Sequence, residues 1–345
     1  MSVKSVLLCG FGAFGAQHAA AWRRSTTAPR LYVSDPDPAA RDRARALGLE
    51  HVTEDPSVYL DQVNLVDIVT PPRLHLPVAL TALGRGKHVF IEKPAVTSLD
   101  EGRQLMAAVE TSGCAVQIGF VLRCHPLVEK AKALIASEAI GRLLAVEGDF
   151  SGWKRMRDDS TIIENDGVHF LDLMRHLAGV PICSVEARGA SLLGAYKNDD
   201  IRIALTFEGG ISGNLRLGIL ACGEVEDCFM PGAVTTKRLR LIGDAGNIVI
   251  DFNRNTLTQA QVSYTPKSGG WNVSPGAMTI EEVIGITPPS LLAKSFDLFV
   301  SAIESGGPTL YSANEGALEM AALLEAIDQA LLQKPLPQIA LEKGA

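Results

Sequence analysis

The 345 residues carry 32 Lys+Arg against 39 Asp+Glu, a formal charge of −7, with 47% hydrophobic and 21% charged side chains. That balance excludes a disordered or collagen-like chain and argues against a nucleic-acid partner, whose phosphates an acidic protein repels. No apolar run reaches the roughly 20 residues of a membrane helix, and the first residues lack a signal-peptide core with a cleavage site. The six cysteines form no C-x-x-C pair and no zinc spacing, so reduced, mostly buried thiols, no metal site, no membrane and a cytoplasmic location are expected.

Along the chain, the first 120 residues alternate β-branched runs with amphipathic stretches, the pattern of βαβ units around a doubly wound parallel sheet. Strands are expected over 5–9, 30–35, 50–53, 65–70, 88–92 and 115–120, and helices over 13–24, 74–83 and 98–112. From residue 121 the character shifts. A helix at 127–137, a strand at 143–150 and a helix at 166–178 precede strands at 182–189, 201–207, 211–217, 236–242 and 247–251. Turns such as Gly243-Asp244-Ala245-Gly246 join these too tightly for helical crossovers, so the second sheet is expected to be large and mostly antiparallel. Helices at 291–304 and 314–333 close the chain. Two domains are drawn, 1–120 and 121–345.

Residues 10–15 read GFGAFG directly after the first strand. Gly10 allows a tight turn, Gly12 lets the backbone approach a pyrophosphate, and Gly15 permits close packing of helix on strand, with Phe11, Ala13 and Phe14 completing the loop. Asp35 ends the second strand 20 residues beyond Gly15, where a carboxylate accepts the two ribose hydroxyls and repels a 2'-phosphate. The pattern therefore predicts a Rossmann domain that binds NAD, with NADP as the alternative because Arg41 and Arg43 follow. In such sheets ligands sit outside the carboxyl ends of the strands, which nominates Thr70, Pro71, Pro72 and His75 after the fourth strand, Glu92 and Lys93 after the fifth, and Arg123 after the sixth. An ammonium at Lys93 suits an oxygen that gains negative charge as hydride leaves, although a surface lysine paired with Glu92 fits the residues alone equally well.

The run LVDIVTPPRLHLPVALTALGRGKHVFIEKP at 65–94 resembles the signature of the Gfo/Idh/MocA family, the group of glucose-fructose oxidoreductase and inositol dehydrogenase. The likeness continues through GFVLRCHP (119–126), AIGRLLAVEGDFSGW (139–153), DGVHFLDLMRHLAG (166–179) and IGDAGNIVID (242–251), and His18 after the glycine loop fits it too. The resemblance implies a nicotinamide-dependent dehydrogenase or reductase of a sugar, cyclitol or related polyol, with Lys93 catalytic. It also implies a homodimer or homotetramer assembled through the sheet of the second domain. Three competitors share the fold: an NAD-assisted glycoside hydrolase, a reductase of a non-sugar carbonyl or dihydrodiol, and a non-catalytic regulator.

Within the helix at 166–178, Phe170, Met174 and Leu177 mark a core face, whereas Asn165, His169, Asp172 and His176 share a polar one. Histidine titrates near neutrality and can take the proton of an alcohol; the resemblance places the family's active-site histidine at His169. Many relatives have aspartate four residues earlier, where this chain has Asn165 followed by Asp166. Either Asp166 takes that role, or Asn165 binds a hydroxyl and His169 works without a carboxylate there. Asp172 is expected to orient His169 or bind substrate, and His176 to be structural. Trp153, Lys154, Arg155 and Arg157 lie in the loop before this helix, and Trp153 and Arg155 are candidate substrate contacts for a polyol or a sugar acid.

Overall fold

The computed structural model describes residues 3–154, 160–194 and 198–332. Its first sheet is built from β1 (Ser5–Cys9), β2 (Arg30–Ser34), β3 (His51–Thr53), β4 (Leu65–Ile68), β5 (His88–Ile91) and β6 (Val116–Ile118), all parallel, in the order β3-β2-β1-β4-β5-β6. The order reverses between β1 and β4, and a crevice opens there at the carboxyl ends of the strands. Helices α1 (Ala13–Arg24), α2 (Pro38–Ala46), α3 (Ser57–Leu60), α4 (His75–Gly84) and α5 (Leu99–Ser112) supply the crossovers. The strands are apolar runs because both faces are covered: Val6, Leu7 and Leu8 are all at 0% exposure. Asp67, inside β4, breaks that rule at 0% exposure.

The second sheet contains β7 (Leu143–Trp153), β8 (Ile182–Ala190), β9 (Asp200–Phe207), β10 (Ser212–Gly218), β11 (Val225–Glu226), β12 (Val234–Gly243), β13 (Gly246–Asp251), β14 (Thr256–Lys267) and β15 (Gly270–Glu282). They lie in the order β15-β14-β13-β12-β7-β10-β9-β8, with β11 on β12, and every described pairing is antiparallel except β7 with β10. Helices α6 (Pro126–Ala136) and α7 (Val168–Ala178) cover the inner face. In β9 the alternation is strict, with Ile201, Ile203, Leu205 and Phe207 turned inward. Phe170, Met174 and Leu177 of α7 join them in one core. The hairpin β14–β15 lies beyond the last strand expected from the sequence; β15 is exposed at every residue and contains Pro275 and Gly276, so it carries no half-buried alternation to read.

The closing helices α8 (Pro288–Ser305) and α9 (Met320–Leu331) return to the first domain and its seam. Thr287 and Ser290 form a reciprocal cap at the start of α8, followed by Pro288 at its first position. The Phe296 ring then stacks on Trp22 of α1 at 3.9 Å, and Leu292, Phe299, Val300 and Ile303 complete a cluster with α1, β1 and Phe90 of β5. A division at residue 121 separates the two sheets, but by packing α8 belongs with the first. No helix among the described residues is long and apolar enough to cross a membrane. Removing the keystone ring by Phe296→Ala should lower stability by about 3–5 kcal/mol, seen as a lower denaturation midpoint; a midpoint equal to that of the parent chain would show that α8 is not needed by the first core.

Candidate functional site

The loop between β1 and α1 owes its shape to its glycines. Gly10 has φ +96°, and a Cβ there would lie 2.7 Å from the Val69 carbonyl oxygen; a Cβ on Gly15 would collide with the Gly10 carbonyl. Gly12 caps α1 without a side-chain hydrogen bond, and a Cβ on it would meet no protein atom within 4 Å. The first amides of α1, from Ala13 onward, lie at the positive end of the helix, where an anion is favoured. Phe11 anchors the loop in the core while Phe14 is 39% exposed. Asp35 follows β2, its Oδ2 accepting from the Phe11 amide at 2.6 Å and its Oδ1 from the Asp37 amide at 2.8 Å. Arg41 is turned to the carbonyls of Asp35 and Pro36 (2.9 and 2.8 Å), and Arg43 to that of Phe11 (3.4 Å). These residues fit a dinucleotide: the uncapped helix start suits its pyrophosphate and Asp35 its adenosine ribose.

At the carboxyl ends of β4 and β5 the structure separates the nominated residues. Thr70, Pro71 and Pro72 form the rim. His75 is buried beneath them, Nδ1 2.8 Å from the Pro94 carbonyl and Nε2 2.7 Å from the Thr70 carbonyl. Glu92 is buried too, 6% exposed, with Oε2 accepting from the Lys93 amide at 3.1 Å and Oε1 lying 3.2 Å from His18 Nε2. Contrary to the sequence expectation, His75 and Glu92 brace the two loops from inside the protein. Lys93 reaches across to the second domain: its Nζ donates to the Asn165 carbonyl at 2.9 Å.

That carbonyl belongs to a π-helical turn, Ile163–Gly167, which leads into α7. Such wide turns occur often at functional sites. His169 lies in the first turn of α7, with its Nδ1 buried and without a hydrogen-bond partner among the described residues. Burial first, then the positive charges of Lys93 and Lys237, hold its pKa well below 6.5, so the imidazole is neutral at physiological pH. The Asn165 amide donates to Asp166 Oδ1 at 3.3 Å. Asp166 in turn is a buried ion pair with Lys154 Nζ at 2.6 Å, which commits its carboxylate there.

Arg123 and Asp172 correct the sequence reading. Both are buried, and they form a bidentate ion pair with each other, Arg123 also donating to the Leu310 carbonyl at 3.2 Å. They clamp α7 to the segment after β6, each meeting the other's charge in the interior. Only the head of the polar stripe, at the Asn165 carbonyl, meets the first domain through Lys93, whereas Asp172 and His176 face Arg123 and Lys132 of the second. His176 lies 3.4 Å from Lys132 Nζ, and burial together with Arg123 and Lys132 pushes its pKa down to about 3. Trp153 ends β7 at 56% exposure with its indole N–H on the Leu220 carbonyl. Arg155 and Arg157 lie outside the described residues.

Two features escaped sequence reasoning. One is Asp67 with His18 at 2.9 Å, buried under the glycine loop; an aspartate inside LVDI, the apolar run of β4, was its signal. The other is Lys237, which shares the inward parity of Leu239 and Leu241 in β12 and pairs with Asp227 at 2.8 Å. Lys237 lies 4.7 Å from the centre of the Phe150 ring and Lys154 4.1 Å, so two ammonium groups share one aromatic ring below the helix that bears His169.

Comparison with known proteins matches residues 4–120 to a family described as an oxidoreductase family with an NAD-binding Rossmann fold, and residues 128–249 to the GFO/IDH/MocA C-terminal domain. The chain is 30% identical over 261 residues to scyllo-inositol 2-dehydrogenase (NAD(+)) of Bacillus subtilis, covering 71% of this chain and 73% of that one. It is 26% identical to levoglucosan dehydrogenase of Pseudarthrobacter phenanthrenivorans, covering 61% and 66% of the two chains. A solved levoglucosan dehydrogenase in complex with NADH has the same fold, with a TM-score of 0.80 over 94% of this chain and 96% of that chain at 22% identity. If Asp35 holds the ribose, Asp35→Ser removes a charged hydrogen-bond acceptor worth about 1.5–3 kcal/mol. The preference for NAD over NADP in fluorescence titrations should then narrow at least about tenfold, and an unchanged ratio would remove Asp35 from that role.

Proposed function

The chain belongs to the Gfo/Idh/MocA oxidoreductase family and is an NAD-dependent oxidoreductase, and we propose that it moves hydride between NAD(H) and a secondary alcohol of a cyclitol, sugar or related polyol. Lys93 and His169 are the pair at the reacting oxygen. The observation that carries this reading is the contact of Lys93 Nζ with the Asn165 carbonyl, which sets an ammonium from one domain within a helical turn of a neutral histidine on the other. The names of the relatives, an inositol dehydrogenase and a levoglucosan dehydrogenase, support the substrate class.

NAD, when bound, supplies the hydride acceptor. The chain's own residues do the rest. Lys93 donates a hydrogen bond to the hydroxyl oxygen and stabilises the alkoxide character that grows as hydride departs. His169, neutral and therefore able to accept, takes the hydroxyl proton. Asn165 cannot hold that proton, so its amide is left to hydrogen-bond a neighbouring hydroxyl of the polyol, and Lys154 with Asp166 braces the turn that carries it.

His169→Ala should lower kcat by about two to four orders of magnitude with NADH binding retained, read as the change in 340 nm absorbance across a panel of inositols, sugars and sugar acids. Because the pKa of His169 lies well below 6.5, alcohol oxidation should show no loss of kcat/KM as pH falls through 6.5, and the acid limb should appear only below it. Normal turnover in the alanine variant would sink the assignment, and glycoside cleavage without net NADH would replace hydride transfer as the net reaction.

We also propose a homo-oligomer of cytoplasmic chains built on the open face of the second sheet. That face presents Arg188, Arg202, Arg216, Arg238 and Arg240 among Glu147, Glu186 and Glu224, a mixed-charge surface that can meet its own copy across a two-fold axis. Beside it, the paired positions Tyr264 with Val273 and Pro266 with Trp271 give the β14–β15 hairpin an exposed apolar face. Light scattering after gel filtration should return a dimer or tetramer, shifted toward monomer by Tyr264→Ser with Trp271→Ser; a monomeric parent chain would overturn the proposal.

A further inference from the structure

We propose that the buried chain of contacts Asp67–His18–Glu92 is a positioning device for Lys93; the inference rests on the role given to Lys93 above. Three elements converge. His18 sits on α1, three residues after Gly15. Asp67 projects from β4 and accepts from His18 Nδ1 at 2.9 Å and from the Trp22 indole N–H at 2.8 Å through one oxygen, Oδ2. Glu92 ends β5 with one oxygen 3.2 Å from His18 Nε2 and the other accepting the Lys93 amide at 3.1 Å. The three are 0%, 0% and 6% exposed.

Two carboxylates buried this close disfavour each other's ionisation unless a cation stands between them. His18 is that cation. Burial alone would lower its pKa, but Asp67 and Glu92 together push it up to about 9. The groups facing it are Asp67 from β4, Glu92 from the end of β5, and the rings of Phe14, Phe90 and Phe296 at 5.0, 5.9 and 5.5 Å. Through His18 the Asp67 carboxylate is linked to Glu92, whose second oxygen holds the backbone amide of Lys93.

An independent feature points the same way. Gly119, just past β6, fills the place where any larger residue would meet Glu92: a Cβ there would collide with Oε1. A buried glutamate needed only for its own charge pair has no reason to be held against the amide of Lys93, whereas a brace for the lysine loop must be. Misplacing a reacting group by about 1 Å can lower turnover on the order of 100-fold.

The test uses the full chain with the panel alcohol that gives the fastest NADH formation. Glu92→Gln and Asp67→Asn each remove one carboxylate charge with little change of shape, Gly119→Ala displaces Glu92 sterically, and Lys93→Met is the reference. Each of the first three should lower kcat about 10- to 100-fold with KM for the alcohol and the fluorescence Kd for NADH within about threefold. Glu92→Gln added to Lys93→Met should lower kcat no further, because both changes act through one group. If one variant is too unstable to assay, the other two decide. A kcat within twofold of the parent in the assayable variants, or a full additional loss in the double variant, overturns the positioning role while leaving Lys93 intact. Full activity in Lys93→Met alone overturns the reading of Lys93 and this inference with it.

Discussion

Charges buried around the cleft are met by opposite charges, and that requirement shapes the region where the two domains face each other. Arg123 holds Asp172, Lys154 holds Asp166, Lys237 holds Asp227, and His18 stands between Asp67 and Glu92. An ion deprived of its partner in such surroundings costs roughly 3–5 kcal/mol, so these pairs act as pins with little tolerance for sliding. Arg123 with Asp172 sets where α7 lies against the segment after β6. Lys154 with Asp166 sets the π-helical turn at the head of the same helix. His18 with Glu92 sets the loop of Lys93. Given those placements, Lys93 Nζ meets the Asn165 carbonyl across the domain boundary.

The glycine loop and the acid at Asp35 were legible in the sequence because each depends on local rules, whereas Lys93 and His169 were singled out through the family resemblance. A doubly buried parallel strand must be an apolar run, a tight strand-to-helix turn must carry glycine, and an acid at the end of the second strand stands a known distance beyond it. What stayed hidden depends on tertiary direction. The amphipathic pattern of α8 shows that it buries a face and is silent on which one it meets, so its return to Trp22 and the first core could not be read. Arg123 follows its strand as a cleft residue would, yet its guanidinium turns inward to Asp172. His75 and Glu92 likewise stand beside the rim in sequence and beneath it in space. The stripe of Asn165, His169, Asp172 and His176 was drawn at α-helical spacing, whereas Asn165 lies in a π-helical turn that resets the phase before His169. The second hairpin lacks any buried face, and burial is what makes a strand readable.

The chemistry of His169 follows from the same electrostatics. Buried, and near Lys93 and Lys237, with its Nδ1 unpartnered among the described residues, the ring resists protonation, which keeps it able to accept at neutral pH but makes it a weak acceptor. A weak base removes a proton only from an acidified hydroxyl, and in the proposed reaction Lys93 would supply that acidity by hydrogen-bonding the oxygen as charge develops. The two roles are therefore coupled, since the charge that lowers the basicity of His169 is the one that lowers the demand on it. Asparagine at 165 fits this balance. A carboxylate there would offset the lysines and raise the histidine, whereas the amide adds no charge, and the neighbouring carboxylate of Asp166 is answered by Lys154. In the proposed reaction, asparagine at 165 leaves His169 a weak base and shifts the demand of alcohol activation onto Lys93.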